Sequence, residues 1–171
     1  MTEGPPNLRR SIEAAGWFNV GGSRRRTRHS QLLERCLLFL LFFPTPLVAQ
    51  NSWEEIREIA GSQHEIVMLL IEEKEFDQVP TAARKIFEMQ FPDNQHHLFV
   101  KEAEILTDAL LQHNQTQIAH QLIEMARNAV KANKHKAALY REQAYVYKKE
   151  GNRDAAMECF QKSIELEQSG S

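Results

Sequence analysis

Apolar side chains recur every three or four positions through most of the chain after residue 51, and this spacing predicts a series of amphipathic helices. Ser52 and Glu55 have the spacing of a capping box, in which each side chain accepts a hydrogen bond from the backbone N–H of the other residue. The first helix is therefore predicted to begin at Ser52 and to end at Gly61. The apolar face predicted for it consists of Trp53, Ile56, Ile59 and Ala60.

Ser62 and Glu65 repeat the capping pair, so a second helix is predicted to follow at once. Its apolar positions are numerous enough for a buried helix, and they are Ile66, Val67, Leu69, Leu70 and Ile71. Pro80 suits the first turn of the next helix, because the N–H that proline lacks has no helical partner there. We expect this third helix to stop at the sequence Phe91-Pro92-Asp93-Asn94 and to bury Ala82, Ala83, Ile86, Phe87 and Phe91.

Two further helices are predicted at residues 98–111 and 117–131, separated by the polar turn His113-Asn114-Gln115. The buried positions expected in the first of them are Ala103, Leu106, Ala109 and Leu110. Those expected in the second are Ala119, Leu122, Ile123, Ala126 and Val130.

The composition agrees with an all-α fold, since the 171 residues include only seven Gly and six Pro. The net charge of −2 conceals a division along the chain. Residues 1–50 contain seven Arg and no Lys against three Glu, about +4, whereas residues 51–171 contain fourteen Lys and Arg against twenty acidic residues, about −6. This division predicts a disordered Arg-rich extension (1–35), a short apolar segment (36–50), a helical domain (51–168) and a short tail (169–171).

Aromatic and small residues follow a regular order in the last third of the chain: Tyr140, Ala144, Tyr147, Gly151, Ala156 and Phe160. Counted from Ala137 as position 1, they match the pattern of about 34 residues found in the tetratricopeptide repeat superfamily. The segment therefore resembles one such repeat. It departs from the family pattern at Gln143, Ser163 and Gln168, where Leu, Ala and Pro are usual.

This resemblance implies TPR-like stacked antiparallel helical hairpins, a fragment of an α-solenoid, because one such hairpin cannot bury its apolar face alone. If Val79, Ala119 and Ala156 are equivalent small positions, the spacings are 40 and 37 residues, so two degenerate hairpins would precede the clear one. No capping helix is expected after residue 168. We therefore expect Met157, Ile164 and Leu166 to be partly exposed, and self-association through this hairpin is one way to cover them.

In this family the first helix of each hairpin lines a concave groove that holds a segment of another protein. The resemblance implies such a groove here, with its partner-binding residues in three sets. They are His64, Met68 and Ile71 in the first hairpin, Lys101, Glu104 and Asp108 in the middle one, and Arg141, Tyr145 and Lys148 in the last. The implied groove changes from apolar through acidic to basic. The Lys and Asn set with which some members hold a chaperone tail is not matched.

An apolar run from Cys36 to Phe43 precedes the helical domain. Its eight residues are too few to span a bilayer, which needs about 20. Three interpretations stay open: the core of a signal peptide cleaved after Ala49, a mitochondrial presequence, or an apolar extension that packs on the domain or folds poorly. The Arg run at residues 24–28 has no interleaved aromatic residues, so we expect a solvated arm and no nucleic-acid binding.

Sequence motifs for catalysis are absent: the chain has no glycine-rich phosphate loop, no zincin helix and no paired-cysteine metal motif. The seven His lie mostly at predicted helix ends and polar turns, where His usually contacts solvent or the helix dipole. We therefore expect no enzyme activity, no metal, no cofactor and no small-molecule substrate.

Two functions remain at this point. The first is an adapter of the cytoplasm or nucleus that binds other proteins within a larger assembly. The second is a signal-processed protein of the secretory pathway, luminal or secreted, glycosylated at Asn114 in the acceptor sequence Asn114-Gln115-Thr116.

Overall fold

The computed structural model describes residues 52–170, and this part of the chain contains six α-helices, two short 3-10 turns and no β-strand. The helices are α1 (Trp53–Glu72), α2 (Val79–Phe87), α3 (His97–Gln112), α4 (Thr116–Ala129), α5 (Asn133–Glu150) and α6 (Arg153–Ser169). The 3-10 turns, Phe76–Gln78 and Asp93–Gln95, precede α2 and α3. The predicted all-α fold is confirmed for the described residues, while the predicted extension and apolar segment at residues 1–50 lie outside them.

The predicted capping box begins α1. The Glu55 N–H donates to Ser52 Oγ over 3.3 Å, and the Ser52 N–H donates to Glu55 Oε2 over 3.1 Å. The predicted helix end at Gly61 is wrong, because α1 continues to Glu72 and Gly61 is buried within it. Ser62 does not cap a new helix; its hydroxyl donates to the Glu58 carbonyl over 3.0 Å. Packing of the buried face outweighs the low helix propensity of Gly, which costs about 1 kcal/mol.

Because α1 is one continuous helix, it has one buried face rather than two independent ones. Ala60, Gly61, His64, Val67 and Ile71 are buried. The predicted burial of Ile59, Ile66 and Leu69 is wrong, since these side chains are 52%, 49% and 51% exposed. They lie on the side of α1 that faces away from the core.

The next three helices agree with the predictions to within a few residues. Pro80 lies in the first turn of α2. That helix ends at Phe87, but Phe91 is still buried and stacks on Phe99 with ring centroids 4.3 Å apart. All the predicted buried positions of α3 and α4 are buried except Ala109, which is half-buried, and Val130 is buried just after α4 ends.

The last two helices form a tight hairpin. Gly151 ends α5 with a φ of 79°, a left-handed conformation that glycine adopts without steric cost. Asn152 then caps α6 by accepting from the Ala155 N–H over 3.2 Å. The small residues Ala144 and Ala156 are 0% and 3% exposed, as predicted for a close helix pair. Elsewhere on α6 Met157 and Ile164 are exposed and Leu166 is half-buried, so all three are partly exposed, as expected.

The helices pack in sequential pairs, α1 with α2, α3 with α4 and α5 with α6. In addition α1 contacts α3, α3 contacts α5, α2 contacts α4, and α4 contacts α5. One apolar core runs through α1 to α5, and α5 contributes Leu139 and Val146 to it. This order brings α3 and α5 side by side, so that the residues predicted for the groove on these two helices share one region of the surface.

Candidate partner-binding surface

Six of the nine residues predicted to line the groove are exposed on the adjacent helices α3 and α5. They are Lys101, Glu104 and Asp108 on α3, and Arg141, Tyr145 and Lys148 on α5. The members of each set are three or four positions apart, so each set follows one face of its helix. We call these six residues the α3–α5 surface.

The set predicted on α1 is not part of an accessible surface. His64 and Ile71 are 2% and 1% exposed, and Met68 is half-buried. The prediction that His64 and Ile71 contact a partner is therefore corrected. It assumed a separate helix starting at Ser62, whereas the continuous α1 turns these two side chains into the core.

The two acidic residues of the α3–α5 surface, Glu104 and Asp108, repel each other. Partial burial raises the pKa of Glu104, and the nearby Asp108 charge raises it further, while Lys101 and Arg141 act in the opposite direction. The charges of α3 and α5 are thus close enough to influence one another.

Glu142 on α5 belongs to the same acidic group, although its repeat position did not predict a role in the groove. Burial, with the charges of Asp108 and Glu104, raises the pKa of this half-buried carboxyl to about 7. No feature of the sequence identifies it, because the perturbing carboxylates lie mainly on the neighbouring helix. A cation that approached these three carboxylates would be attracted to them.

Tyr145 is an exposed aromatic residue whose ring is restrained by contacts with its neighbours. Its ring is 51% exposed and packs edge-on against Phe160 of α6, with centroids 5.6 Å apart. The Lys148 ammonium lies 5.5 Å from the ring centroid, within the range of a cation–π contact. A restrained, half-exposed tyrosine loses little conformational entropy when a partner contacts it.

Two arginines link α5 to its neighbouring helices α6 and α4. Arg141 forms an ion pair with Glu167 of α6, and both side chains are exposed. Arg127 of α4 lies over the Tyr140 ring, 4.6 Å from its centroid, and donates through Nη1 to Gln143 Oε1 over 2.7 Å. Gln143, which departs from the family pattern, therefore has a polar partner in this structure.

A buried ionic pair links α1 to α3, and the sequence analysis missed it. His64 Nδ1 lies 2.9 Å from Glu102 Oε1, and the two residues are 2% and 0% exposed. Burial by itself lowers the pKa of His64, but the hydrogen bond and charge of Glu102, with a smaller contribution from Glu65, raise it overall. Nothing in the sequence points to this pair, because the two residues are 38 positions apart, and His64 was expected to line the groove.

The described residues show few features that would support metal binding or a reactive thiol. Within residues 52–170 no three His, Cys, Asp or Glu side chains are arranged to hold a metal ion. Burial raises the pKa of the Cys159 thiol, which disfavours the reactive thiolate. None of the helices in this part of the chain is long and apolar enough to cross a membrane.

The chain matches no family model, no curated protein and no solved structure. The resemblance to the tetratricopeptide repeat superfamily therefore stays an interpretation of the residues and their spacing.

Proposed function

We propose that this protein is a non-catalytic adapter that holds a peptide or helix of a partner protein against the α3–α5 surface. In this proposal the six helices are three TPR-like hairpins, α1–α2, α3–α4 and α5–α6, stacked in order. The sequential helix pairs and the contacts α1–α3 and α3–α5 support it, because a stack of hairpins requires both.

The observation that carries the proposal is the set of charged residues around the exposed Tyr145. A half-exposed tyrosine has Lys148 over its ring and lies one turn after Arg141, on a helix that packs against the acidic residues' helix α3. Tyrosine and arginine are enriched among the residues that dominate binding energy at protein interfaces. Fixed charges of both signs around an aromatic contact are typical of a surface that sets the orientation of its partner.

The charges also indicate the chemistry of the partner segment. Glu104, Asp108 and Glu142 repel one another, and a Lys or Arg from the partner would relieve that repulsion. Arg141 and Lys148, one turn before and one turn after Tyr145 on α5, would attract an acidic residue. We therefore propose a partner segment that carries a basic group, an acidic group and an apolar residue that contacts Tyr145.

The test is charge reversal at the basic part of the surface, with Arg141→Glu and Lys148→Glu combined. The matched control is Lys162→Glu on α6, an exposed lysine that pairs with Glu165 over 3.0 Å. Proteins co-purified from cells with wild-type, double-variant and control chains are identified and quantified by mass spectrometry. We expect the double variant to lose the specific partners at least several-fold, with the helical circular dichroism spectrum retained.

Tyr145→Ala completes the set, because truncating a tyrosine that dominates an interface costs about 2 kcal/mol or more of binding free energy. If the double variant and Tyr145→Ala keep their partners, or if Lys162→Glu loses them equally, the α3–α5 surface is not the binding site. We propose the cytoplasm or nucleus as the location of this adapter.

A second candidate function is a signal-processed luminal or secreted protein. It is favoured by Asn114, which is exposed in the turn between α3 and α4 with a φ of 59°. Mass spectrometry of the protein from animal cells separates the two functions. A mature chain that starts at Gln50 and has a glycan on Asn114 supports the secretory function, and an unprocessed, unmodified chain supports the adapter.

A further inference from the structure

An apolar stripe runs along the outer side of α1. It consists of Ile59, Ile66 and Leu69, whose side chains are each about half exposed, and we call it the α1 stripe. The buried residues of this helix, among them Ala60 and Val67, lie on the other side, which packs on the rest of the domain. Large aliphatic side chains that follow one another along an exposed helix face are typical of an interaction surface.

The spacing of the α1 stripe is that of one helix in a two-stranded coiled coil. If Ile59 is position a of a heptad, Ile66 is the next a and Leu69 is the d that follows it. Ile at a with Leu at d favours pairing with a single further helix. The remaining d position is Ser62, whose hydroxyl already donates to the Glu58 carbonyl over 3.0 Å, so a partner could cover it without leaving this donor unsatisfied.

The charged residues around the α1 stripe are acidic. The g positions of the same heptads, which border a coiled-coil contact, are Glu58, Glu65 and Glu72. Glu55 and Glu73 lie in line with the stripe at its two ends. Helix α1 has one Arg, Arg57, and no Lys, and the helical period places Arg57 on the far side from the stripe.

The opposite border of the stripe carries no charge. Its e positions are Gln63 and Leu70, and both are half-buried. The Gln63 side chain donates through Nε2 to the Ala82 carbonyl of α2 over 3.1 Å, so α2 lies along this edge. A helix on the α1 stripe would therefore meet charged side chains along one edge only, the edge with the three glutamates.

We propose that the α1 stripe binds an amphipathic helix of a second protein, with aliphatic residues at the a and d spacing and Lys or Arg along the edge that meets Glu58, Glu65 and Glu72. Opposite charges at such flanking positions form interhelical ion pairs that select the partner and its orientation. This binding does not involve the α3–α5 surface, so the two surfaces can be tested separately.

The same charges weigh against two other occupants of the stripe. A second copy that docked through its own α1 would place two acidic borders together, which is unfavourable. The exposed side of α6 is a poor complement too, because this helix contains four acidic and two basic residues. The anionic surface of a bilayer attracts basic segments, and an acidic border is repelled by it.

The first experiment measures binding of synthetic peptides to the full chain by fluorescence anisotropy. The probe is a helix of three heptads, about 31 Å long, with Leu at a and d and Lys at e and g. One comparison peptide has Glu at e and g, and another has the composition of the probe in scrambled order. We expect the probe to bind several-fold more tightly than either, because only the probe has both the apolar spacing and the complementary charge.

A charge exchange tests the acidic border. Glu58→Lys combined with Glu72→Lys, both at exposed positions, is expected to weaken binding of the Lys peptide and to make the Glu peptide the tighter of the two. Retained helical circular dichroism shows that the variant is folded. An unchanged order of affinities would overturn the assigned edge and the proposal with it.

A second variant pair tests the stripe itself. Ile66→Glu combined with Leu69→Glu is expected to abolish peptide binding, while Met157→Glu combined with Ile164→Glu, at equally exposed apolar positions of α6, is expected to preserve it. The proposal is overturned if the full chain does not bind the probe, if it binds the scrambled peptide equally, or if binding survives when the stripe is charged.

Two measurements on the free protein detect the other occupants. Sedimentation that shows a dimer of the full chain, dissociated by the charged stripe, would make a second copy the occupant and overturn the proposal. Hydroxyl-radical footprinting reports the exposure of Ile59 and Ile66, and we expect both to be reactive in the free chain and protected by the probe. Protection of these side chains in a free monomer would show that another part of the chain covers the stripe, which would also overturn the proposal.

Discussion

The His64–Glu102 pair shows how one buried contact couples two helices. Removing one partner of a buried ionic pair leaves the other polar group without compensation, which typically costs about 3–5 kcal/mol. Glu102 Oε2 has no hydrogen-bond partner among the described residues, so the His64 contact is the main compensation for this carboxyl. We infer that the pair holds α1 at its position on α3.

The pair predicts a pH dependence of stability. The pKa of His64 in the folded state is raised above 6.5, so the folded protein favours the protonated imidazole. The stability that this provides is fully present below about pH 6.5 and is lost as the pH rises through the folded-state pKa. Wild type should therefore exceed His64→Gln in free energy of unfolding by more at pH 6 than at pH 8, as measured by urea unfolding.

His135 provides a control, because its pKa is shifted in the opposite direction from that of His64. Burial, with the charges of Lys134 and two nearby His, lowers the pKa of His135, so protonation of His135 disfavours the folded state. The free energy of unfolding of His135→Gln should therefore increase relative to that of wild type as the pH falls. Equal pH profiles for the two variants would contradict the assignment of the His64 pair.

Glu142 is predicted to destabilise the free protein at neutral and higher pH. Its pKa rises from 4.5 to about 7 on folding, so the folded state favours the neutral carboxyl. The cost of its charge is absent below about pH 4.5, grows as the pH rises, and is fully present above about pH 7. Because solvent screens this half-buried group, we expect Glu142→Gln to be about 1–2 kcal/mol more stable than wild type at pH 8.

At pH 4, Glu142→Gln should be no more stable than wild type. The control is Glu158→Gln, which removes an exposed carboxylate from α6 and tests for a general effect of net charge. Chemical unfolding at the two pH values measures both variants. A gain of equal size at pH 4 and pH 8 would show that the acidic neighbours of Glu142 are not the cause.

At the scale of elements, close packing of α5 on α6 depends on small residues. Ala156 is 3% exposed, and a larger side chain there has no space without moving the helix. Ala156→Trp should lower the free energy of unfolding by roughly 1–3 kcal/mol or more. Met157→Trp, at a neighbouring position that is 52% exposed, should have little effect. Urea unfolding of both variants provides the measurement, and similar midpoints would refute the predicted hairpin packing.

At the scale of the whole molecule, the described residues contain a continuous apolar core. The buried apolar cluster from Ala60 to Val146 joins α1 through α5, and α6 packs on α5. A shortened chain that begins at residue 49 should therefore be strongly helical and unfold cooperatively. Far-ultraviolet circular dichroism with thermal melting tests this. A non-cooperative transition would show that the apolar run at residues 36–43 is essential to the core.

Local features of the sequence determined where most helices lie and how the last hairpin turns. The capping box at Ser52, Pro80 in a first turn and Gly151 at a left-handed C-cap act through neighbouring residues, so they can be recognised from short stretches. The candidate residues on α3 and α5 came from the repeat positions that the family resemblance implies. They are exposed, and their role in binding stays a prediction.

Tertiary structure alone decided which face of α1 is buried, because that depends on the helices packed against it. Gly61 looked like a stop signal from its neighbours, but packing of a continuous helix outweighed its low propensity. That outcome exposed Ile59 and Ile66 and buried His64. The His64–Glu102 pair and the raised pKa of Glu142 also depend on side chains far apart in sequence, so only the packing of α1, α3 and α5 could bring their charges together.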